Sequence, residues 1–345
     1  MPCSRPNNGK IRTNLPKPKI AFENHVKIEE IRIVILKKNS MPATEYLGID
    51  VGGTGVKMGI VHADTGQINN FQSYDTATWR ESNHFLDRLA DAIALHLYQH
   101  KNVQKVGIGL PGILTKDRRT LIEITAIPEI DGAPMIDMLE KRFPEHTFFM
   151  ENDANAAALG EFYFSPEKSN MPEDFVFITL GTGVGGAAVI DRKIFLGGDG
   201  NAMEPGHVPS KNGKVLERNV GKKELLQMAN QMRAEYQGET SLPSDGTIST
   251  TALVVAAEEG DALAQAIWDE VGSLLGDMLV SLIRILDIKN IFIGGGLSAS
   301  FDFIVPSMEK QLNYWLTPAY LEKLTIKKAL LGNDAGLLGA ASLCF

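Results

Sequence analysis

The chain has 345 residues, of which 44% are apolar and 22% charged, and its formal net charge is −8, which fits a globular protein with a sizeable core. Its two cysteines stand alone near the two ends, so we expect neither a cysteine-rich zinc module nor a disulfide framework, and nothing argues for secretion. No run of about 18 apolar residues occurs, so no membrane span is predicted and we expect a cytoplasmic protein.

Residues 1–43 form a basic leader. It carries +6 from nine Lys/Arg and three Glu, whereas the remaining residues hold 25 Lys/Arg and 39 Asp/Glu, or −14. We predict a disordered extension rather than a targeting peptide, because prolines and a glutamate pair interrupt it and its apolar runs are short. Met41 is a candidate start of translation. The acidic body argues against general nucleic-acid binding.

The first half of the body alternates strands, glycine turns and helices. Alternating or continuous apolar runs predict strands at 46–50, 56–61, 68–73, 103–110, 147–150, 175–180 and 186–190. Helical spacing of apolar residues predicts helices at 85–97, 135–143 and 154–162.

The second half is mostly helical. We predict helices at about 222–236, 251–259, 261–286 and 334–343, and a strand at 291–293. The order strand, glycine turn, strand occurs near the start and again near residue 179, which suggests two halves of similar design. The apolar face of the helix 261–286 fits either a core helix or a dimer interface, and we expect a homodimer.

Asp50-Val51-Gly52-Gly53-Thr54 lies between two predicted strands. Glycines let backbone N–H groups close around a phosphate, Thr54 adds a hydroxyl donor, and a carboxylate at a strand end can hold a hydrated metal ion. The same pattern also fits an ordinary hairpin turn. It is not a Walker A loop, which needs Gly-Lys-Ser/Thr at the start of a helix.

Two further glycine segments are candidates for binding phosphate or nucleotide. Residues 181–186 match GxGxxG, but a strand follows where a dinucleotide site needs a helix, so we predict a second phosphate-binding hairpin. Gly294-Gly295-Gly296 lies between a strand and a helix, so it could approach a nucleotide or simply form a tight turn.

Polar residues after the strand at 147–150 are candidates for binding a polyol. Asp153 could cap the following helix, or it could accept a hydroxyl proton near a phosphate site while Asn152 offers further hydrogen bonds. Glu204 and His207 lie in a glycine-rich loop, where a lone His is usually structural and a lone Glu usually solvated. Glu217 follows and also fits an exposed charge.

In this order, a set of segments from about residue 45 to the C-terminus resembles the ROK family (repressors, open reading frames and sugar kinases) of the actin-like ATPase superfamily. The segments are LGIDVGGTGVKMGIV, VGIGLPGIL, MENDANAAALGE, ITLGTGVGG, AMEPGH, IFIGGGLS and AGLLGAA. The resemblance implies a two-domain α/β actin-like ATPase (ribonuclease H-like) fold with a cleft between the domains. The small α/β domain would span 44–150 and the larger 151–345, with the last helix, about 334–344, packing back on the small domain.

The resemblance also implies roles for residues in binding ATP with Mg²⁺ and a sugar. Asp50, Gly52, Gly53, Thr54 and Lys57 match the first phosphate loop, with Asp50 reaching Mg²⁺ through water. Gly181, Thr182 and Gly183 match the second phosphate loop, and Gly294, Gly295 and Gly296 the nucleotide side. Asn152 and Asp153 match the sugar-binding pair, with Asp153 as catalytic base; Glu204, His207 and Glu217 match further sugar contacts, and Gly112 and Thr125 line the sugar pocket.

The chain departs from the family pattern at two places. Most members follow the histidine with three cysteines that bind structural zinc, whereas 208–216 contains no cysteine, so we expect no zinc and a His207 that serves only the sugar. Zinc-free loops also occur in the related polyphosphate glucokinases, which leaves the phosphoryl donor open. An Asn that sugar kinases often carry near Ala126 is absent; Thr125 could replace it, so sugar specificity is also open.

These features predict a kinase that transfers the terminal phosphoryl group of ATP to the 6-hydroxyl of glucose or a related hexose. The alternatives are a polyphosphate-dependent glucokinase and an N-acetylhexosamine kinase. A sugar-sensing transcriptional regulator is a third alternative, but its winged helix-turn-helix would not fit residues 1–43, which are few and interrupted by proline. A non-catalytic scaffold would be expected to lose Asp153 or Thr54, and both are present.

Overall fold

A computed structural model describes residues 44–81 and 84–345, so the predictions for the leader and for Met41 lie outside the described residues. Two five-stranded sheets dominate these residues, and each has its own hydrophobic core. None of the helices in the described ranges has the length and the apolar run that crossing a bilayer requires.

The first sheet has the strand order β3-β2-β1-β4-β7. Its strands are β1 (Glu45–Val51), β2 (Gly55–His62), β3 (Ile68–Asp75), β4 (Lys105–Leu110) and β7 (Thr147–Asn152), and a separate hairpin contains β5 (Ile113–Leu114) and β6 (Leu121–Glu123). Strands β1, β2 and β3 pair antiparallel, whereas β4 runs parallel to both β1 and β7.

The second sheet repeats this design. Its strands are β8 (Phe175–Leu180), β9 (Val184–Ile190), β10 (Lys193–Ile194), β11 (Asn290–Gly294) and β12 (Thr325–Lys328), in the order β10-β9-β8-β11-β12. Again three strands pair antiparallel, and the other two follow parallel to β8. The prediction of two halves of similar design is confirmed.

The helices fall mainly after the parallel strands. They are α1 (Thr76–Arg80), α2 (Phe85–Gln99), α3 (Met135–Arg142), α4 (Asp153–Phe164), α5 (Glu217–Val220), α6 (Lys222–Glu235), α7 (Thr250–Glu258), α8 (Ala262–Leu286), α9 (Phe301–Trp315), α10 (Pro318–Leu321) and α11 (Ala335–Ser342). The predicted helices are all present, with boundaries shifted by a few residues.

Several elements differ from the sequence prediction. The helix expected after Gly296 is α9, for which no bounds were predicted; packing against α8 stabilises it although Pro306 lies inside it. Strand β4 begins two residues after Val103, whose N–H instead donates to His100 in a turn. Strand β9 begins at Val184 rather than at residue 186, inside the glycine motif.

The apolar face of α8 lies in the core of the larger half. Ten residues of α8 are buried there, among them Leu263, Ile267, Val271, Leu274 and Met278, whereas Ile285 near its C-terminal end is 77% exposed. A Cβ added to Gly272 would stand 2.2 Å from the carbonyl oxygen of Ile304, so α8 and α9 approach backbone to backbone. This face is therefore a core face, and the homodimer stays a prediction without support from it.

Helix α11 packs closely on β1, β4 and α4. A Cβ on Gly107 of β4 would stand 1.7 Å from the carbonyl oxygen of Ala340, and one on Gly48 of β1 would stand 2.5 Å from that of Leu337. Only glycine lets the backbones approach so closely. This packing carries the start of α11 to the first glycine loop.

Candidate active site

The candidate residues lie near the carboxyl ends of parallel strands in both sheets. Asp50 lies near the end of β1, Asn152 ends β7, Gly181 follows β8 and Gly294 ends β11. Ligands of open α/β sheets bind at such ends, where loops and helix N-termini meet. Cavities of about 250 Å³ beside Glu161 and of about 370 Å³ beside Tyr98 lie elsewhere and contain none of these residues.

The first glycine loop is a tight turn between β1 and β2. The Gly52 N–H donates to the carbonyl of Gly55 (2.8 Å), and the Thr76 hydroxyl donates to the carbonyl of Gly52 (2.7 Å). Gly53 and Thr54 are exposed at the tip. The loop is thus held from beneath while its outer residues face solvent, as phosphate binding requires.

Asp50 and Lys57 form an ion pair behind this loop. Lys57 Nζ lies 3.3 Å from Asp50 Oδ2 and donates to the carbonyl of Asn333 (2.9 Å). Gly336 of α11 leaves room for the Asp50 carboxylate, because a Cβ there would stand 2.8 Å from its carbon. Burial raises the pKa of Asp50, and the charge of Lys57 opposes that rise.

The second and third glycine loops share the end of β8. The Gly181 N–H donates to the carbonyl of Gly183 (2.9 Å), and the Leu297 N–H donates to the carbonyl of Leu180 (2.9 Å). Gly295 adopts φ +88°, which favours glycine. As predicted, β9 continues the second loop as a strand, where a dinucleotide-binding motif would need a helix.

Asn152, rather than Asp153, caps helix α4. Its Oδ1 accepts hydrogen bonds from the N–H groups of Ala154 (2.9 Å) and Asn155 (3.3 Å), so only its amide NH₂ remains for a ligand. The alternative that Asp153 is the helix cap is wrong. One Asp153 oxygen accepts from the Ala154 N–H (2.9 Å), and the side chain is half-buried.

Asp153 has an unusual environment for a carboxyl group. Burial raises its pKa to about 6, and the negative charges of Asp50 and Glu204 contribute, against the lowering effect of the Ala154 N–H. The charges of Asp50 and Glu204 act on Asp153 because these residues, from three distant segments of the chain, lie near one another in the fold. A carboxyl group with this pKa is largely ionised at neutral pH yet more basic than an ordinary aspartate.

Glu204 and His207 flank a short helical turn that packs on β9. His207 Nδ1 lies 3.2 Å from Glu204 Oε2, and both side chains are exposed. A Cβ on Gly206 would stand 2.2 Å from the carbonyl oxygen of Val184. The turn therefore presents a carboxylate and an imidazole to solvent from a position fixed by β9.

The following loop is a hydrogen-bonded hairpin. Pro209 and Val215 form a β-bridge, and the Ser210 N–H donates to the carbonyl of Lys214 (2.7 Å). Lys211 Nζ lies 2.5 Å from Glu270 Oε1 of α8. Across 44–81 and 84–345, no three His, Cys, Asp or Glu side chains meet in a geometry that could hold a metal ion. The loop 208–216 has no cysteine to join His207 as a ligand, so its residues do not fit the structural zinc of the resembled family.

Mg²⁺ fits the site differently. It usually binds through one or two carboxylates, water and substrate phosphates rather than through a cage of protein ligands. Asp50 provides one carboxylate at a strand end, and its charge together with that of Glu204 disfavours ionisation of Asp153. A divalent cation near Asp50 would offset this negative charge, and it would also neutralise part of the charge that the phosphates bring.

Glu217, Gly112 and Thr125 occupy different surroundings. Glu217 Oε2 accepts a hydrogen bond from the Val184 N–H (3.0 Å), so this carboxylate lies beneath the second glycine loop. Gly112 adopts φ +115°, and a Cβ there would meet the carbonyl of Glu123 at 2.3 Å. Thr125 is exposed, and its neighbour Ala126 lies against Gly53, so Thr125 lies near the first loop.

Arg118 and Glu151 were missed by sequence reasoning. They form a largely buried ion pair, with Arg118 Nε 3.0 Å from Glu151 Oε2. Glu151 immediately precedes Asn152 and ends a strand otherwise rich in apolar residues, and a buried carboxylate there requires a cation. That position could have signalled a partner, but the pattern does not identify Arg118.

Comparisons with known proteins agree with the fold. The family model of the ROK family matches residues 46–345. A glucokinase from Streptomyces coelicolor is 32% identical over 316 residues, which are 86% of this chain and 96% of that protein.

Two solved structures share the fold. A protein from Cytophaga hutchinsonii assigned as a sugar kinase is 40% identical with a TM-score of 0.82, over 87% of this chain and 99% of that chain. A ROK family glucokinase from Streptomyces griseus, in complex with glucose and AMPPNP, is 28% identical with a TM-score of 0.71, over 87% of this chain and 98% of that chain. The predicted actin-like ATPase fold is confirmed.

Proposed function

Because this chain belongs to the ROK family, we propose that it is an ATP-dependent sugar kinase that phosphorylates the 6-hydroxyl of glucose or a related hexose. Similarity to a glucokinase, and to a structure that contains glucose and an ATP analogue, supports the sugar and the donor. The observation that carries the proposal is the half-buried Asp153, which has a pKa of about 6 and follows the cap of α4.

Asp153 acts as the general base. It accepts the proton of the attacking sugar hydroxyl while the hydroxyl oxygen forms its bond to the terminal phosphorus. In a loose transition state this proton moves late, as charge passes to the leaving diphosphate, so a moderately basic carboxylate suffices. The raised pKa improves the proton affinity of Asp153 and still leaves it ionised at neutral pH.

The glycine loops and Lys57 align the phosphates. The exposed backbone at Gly53, Thr54 and Thr182 can donate N–H groups, and Lys57 is fixed by Asp50 and the carbonyl of Asn333. Mg²⁺ bound with the nucleotide would neutralise phosphate charge, with Asp50 holding it through water. Most of the rate acceleration comes from this alignment and charge stabilisation.

Asn152, Glu204 and His207 hold the sugar. The Asn152 amide NH₂ donates to a sugar oxygen, because its carbonyl oxygen already caps α4. Glu204 accepts from a hydroxyl, and the imidazole of His207, paired with Glu204, offers its other nitrogen. Together they place the reacting hydroxyl beside Asp153, and Glu217 and Thr125 stay further candidates for sugar contacts.

A coupled assay with a panel of hexoses and N-acetylhexosamines, each tested with ATP and with polyphosphate, tests the proposal. We expect the highest kcat/KM with glucose and ATP in the presence of Mg²⁺. A preference for an N-acetylhexosamine or for polyphosphate would select one of the alternative activities. Phosphorylation of no sugar with either donor would refute the assignment as a sugar kinase.

A further inference from the structure

Arg118 lies in the turn between β5 and β6 and points into the protein. Its side chain is 13% exposed and that of its partner Glu151 is 9% exposed, so the ion pair at 3.0 Å is largely removed from water. Such a pair is retained at a cost in desolvation, and it is weak evidence for stability alone. The role of Arg118 must therefore be inferred from the groups to which it is hydrogen-bonded.

The guanidinium connects three separate segments. Besides Glu151 in β7, it donates to the carbonyl of Thr115 in its own turn (3.3 Å) and to the carbonyl of Gly200. Gly200 adopts φ +97°, and a Cβ there would stand 2.7 Å from Arg118 Nη1. The guanidinium thus occupies space that only glycine at residue 200 leaves open.

Glu151 connects Arg118 to the start of α4 by hydrogen bonds. Its Oε1 accepts from the N–H of Asn152 (2.8 Å) and from Nδ2 of Asn155 (3.1 Å). One hydrogen bond joins Glu151 to Asn152, and Asn152 caps the helix that begins with Asp153. The Arg118–Glu151 pair therefore supports the backbone that orients the base.

Arg118 Nη2 donates to the carbonyl of Gly200, in the loop that leads to Glu204. Gly200 is followed by Asn201, whose Oδ1 accepts from the Leu114 N–H (3.0 Å) and whose Nδ2 donates to the Leu114 carbonyl (2.9 Å). The hairpin and this loop are joined at two successive residues. Glu204 lies three residues beyond the second.

The backbone of Arg118 is strained, with φ +58°. Glycine or asparagine is favoured in this left-handed region, and arginine gains nothing there from its backbone. Strained backbone positions cluster at active sites and ligand clamps, where the surrounding structure must hold them in place. The planar guanidinium of Arg118 offsets this strain, because its donors reach three acceptors in different directions.

We propose that Arg118 is a positioning residue that fixes the base Asp153 relative to the sugar-contacting turn 204–207 through Glu151 and Gly200. The inference rests on the proposed kinase function. Lysine cannot replace arginine here, because one ammonium group has no planar fork and cannot reach the carboxylate and both carbonyls together.

The test compares Arg118→Lys with Arg119→Lys. Arg119 lies in the same turn, but its ion pairs with Asp137 and Glu140 are more exposed, so it is a matched control. For Arg118→Lys we expect a rise in the KM for glucose and a fall in kcat, each on the order of 10- to 100-fold, with the KM for ATP unchanged. Arg119→Lys should behave as wild type in all three.

A purely structural role gives a different result. It would lower the Tm of Arg118→Lys but leave kcat per folded enzyme and the KM for glucose at wild-type values, which would overturn the inference. If the lysine variant does not fold, Glu151→Gln serves instead, because its amide oxygen can still accept from Asn152 and Asn155 while its NH₂ cannot pair with Arg118. The glutamine variant should show the same loss of sugar affinity and turnover.

Glucose binding measured without turnover separates this inference from the proposed function. Glucose should raise the Tm of the wild type and of Arg119→Lys, and the rise should be lost in Arg118→Lys. A wild type with neither turnover nor glucose stabilisation would overturn the proposed function and the inference with it. An active wild type with an Arg118→Lys variant of equal kcat and KM would overturn the inference alone.

Discussion

Glu217 fills the space beside Gly183 in the second glycine loop. A Cβ on Gly183 would stand 2.1 Å from Glu217 Oε2, and the same oxygen accepts the Val184 N–H at 3.0 Å. The family resemblance predicts that Glu217 contacts the sugar. In this structure its carboxylate supports the loop that is predicted to bind phosphate, so the two roles make different kinetic predictions.

Glu217→Ala should therefore raise the KM for ATP by about tenfold. The change leaves the buried Val184 N–H without its acceptor, which costs about 1–3 kcal/mol and loosens the loop. Glu217→Gln is the matched control, since its amide oxygen can still accept this hydrogen bond. Steady-state kinetics with varied ATP and varied glucose check this. A rise confined to the KM for glucose would show that Glu217 serves the sugar instead.

Gly272→Ala should destabilise the protein by about 1–3 kcal/mol or more, because a Cβ meets the backbone of α9 and the helices must separate. Gly198→Ala is the control, since a Cβ at residue 198 meets nothing within 4 Å. Urea unfolding of both variants measures the difference. Equal midpoints for the two variants would contradict the close packing of α8 on α9.

Local sequence patterns predicted most strands and helices, because alternation, helical spacing and glycine turns are written within a few residues. Strand β1 and helix α8 are examples. Strand β12 was missed because Thr-Ile-Lys-Lys has little apolar pattern of its own, and only its pairing with β11 makes it a strand. A helix after Gly296 was expected, but its bounds were not predicted, because Pro306 lies inside α9.

The same distinction holds for the site. The motifs indicated Asp50, Asp153 and the glycine loops, because their chemistry depends on residues close together in sequence. The Arg118–Glu151 pair joins residues 33 positions apart, and only the fold brings them together. For the cap of α4, the sequence offered Asp153 as an alternative to its role as a base, whereas Asn152 forms the cap, since either side chain suits that position.

The hairpin at 208–216 predicts that zinc chelation has no effect. Backbone hydrogen bonds close this loop, and its residues offer no cysteine ligand. Treatment with 1,10-phenanthroline, with Mg²⁺ retained, should leave kcat and Tm unchanged. A loss of activity that added Zn²⁺ restores would contradict this interpretation of the loop.

Asp153→Asn should lower kcat by about 10³-fold or more, because the amide cannot accept the hydroxyl proton. The KM for glucose should change little.

The same change, Asp153→Asn, should also stabilise the protein at pH 8. An aspartate whose folded pKa is raised to about 6 loses stability as pH rises through the window from its ordinary value to about 6. Removing the charge recovers at most about 3 kcal/mol. Near-normal turnover would exclude Asp153 as the base, and an unchanged Tm at pH 8 would contradict its raised pKa.

The pH dependence of kcat/KM for glucose tests which charges act on Asp153, because kcat/KM reports groups of the free enzyme. Activity needs the ionised carboxylate, so kcat/KM should fall about tenfold per pH unit below an apparent pKa of about 6. Glu204→Gln removes a negative charge that raises this pKa, so the acidic limb should move to lower pH. Glu173→Gln, on an exposed carboxylate paired with Arg192, is the control and should leave the limb in place. Weaker sugar binding in Glu204→Gln would lower kcat/KM at every pH without moving the acidic limb, so the two effects are separable. An acidic limb that stays near pH 6 in that variant would mean that the Glu204 charge does not reach the base.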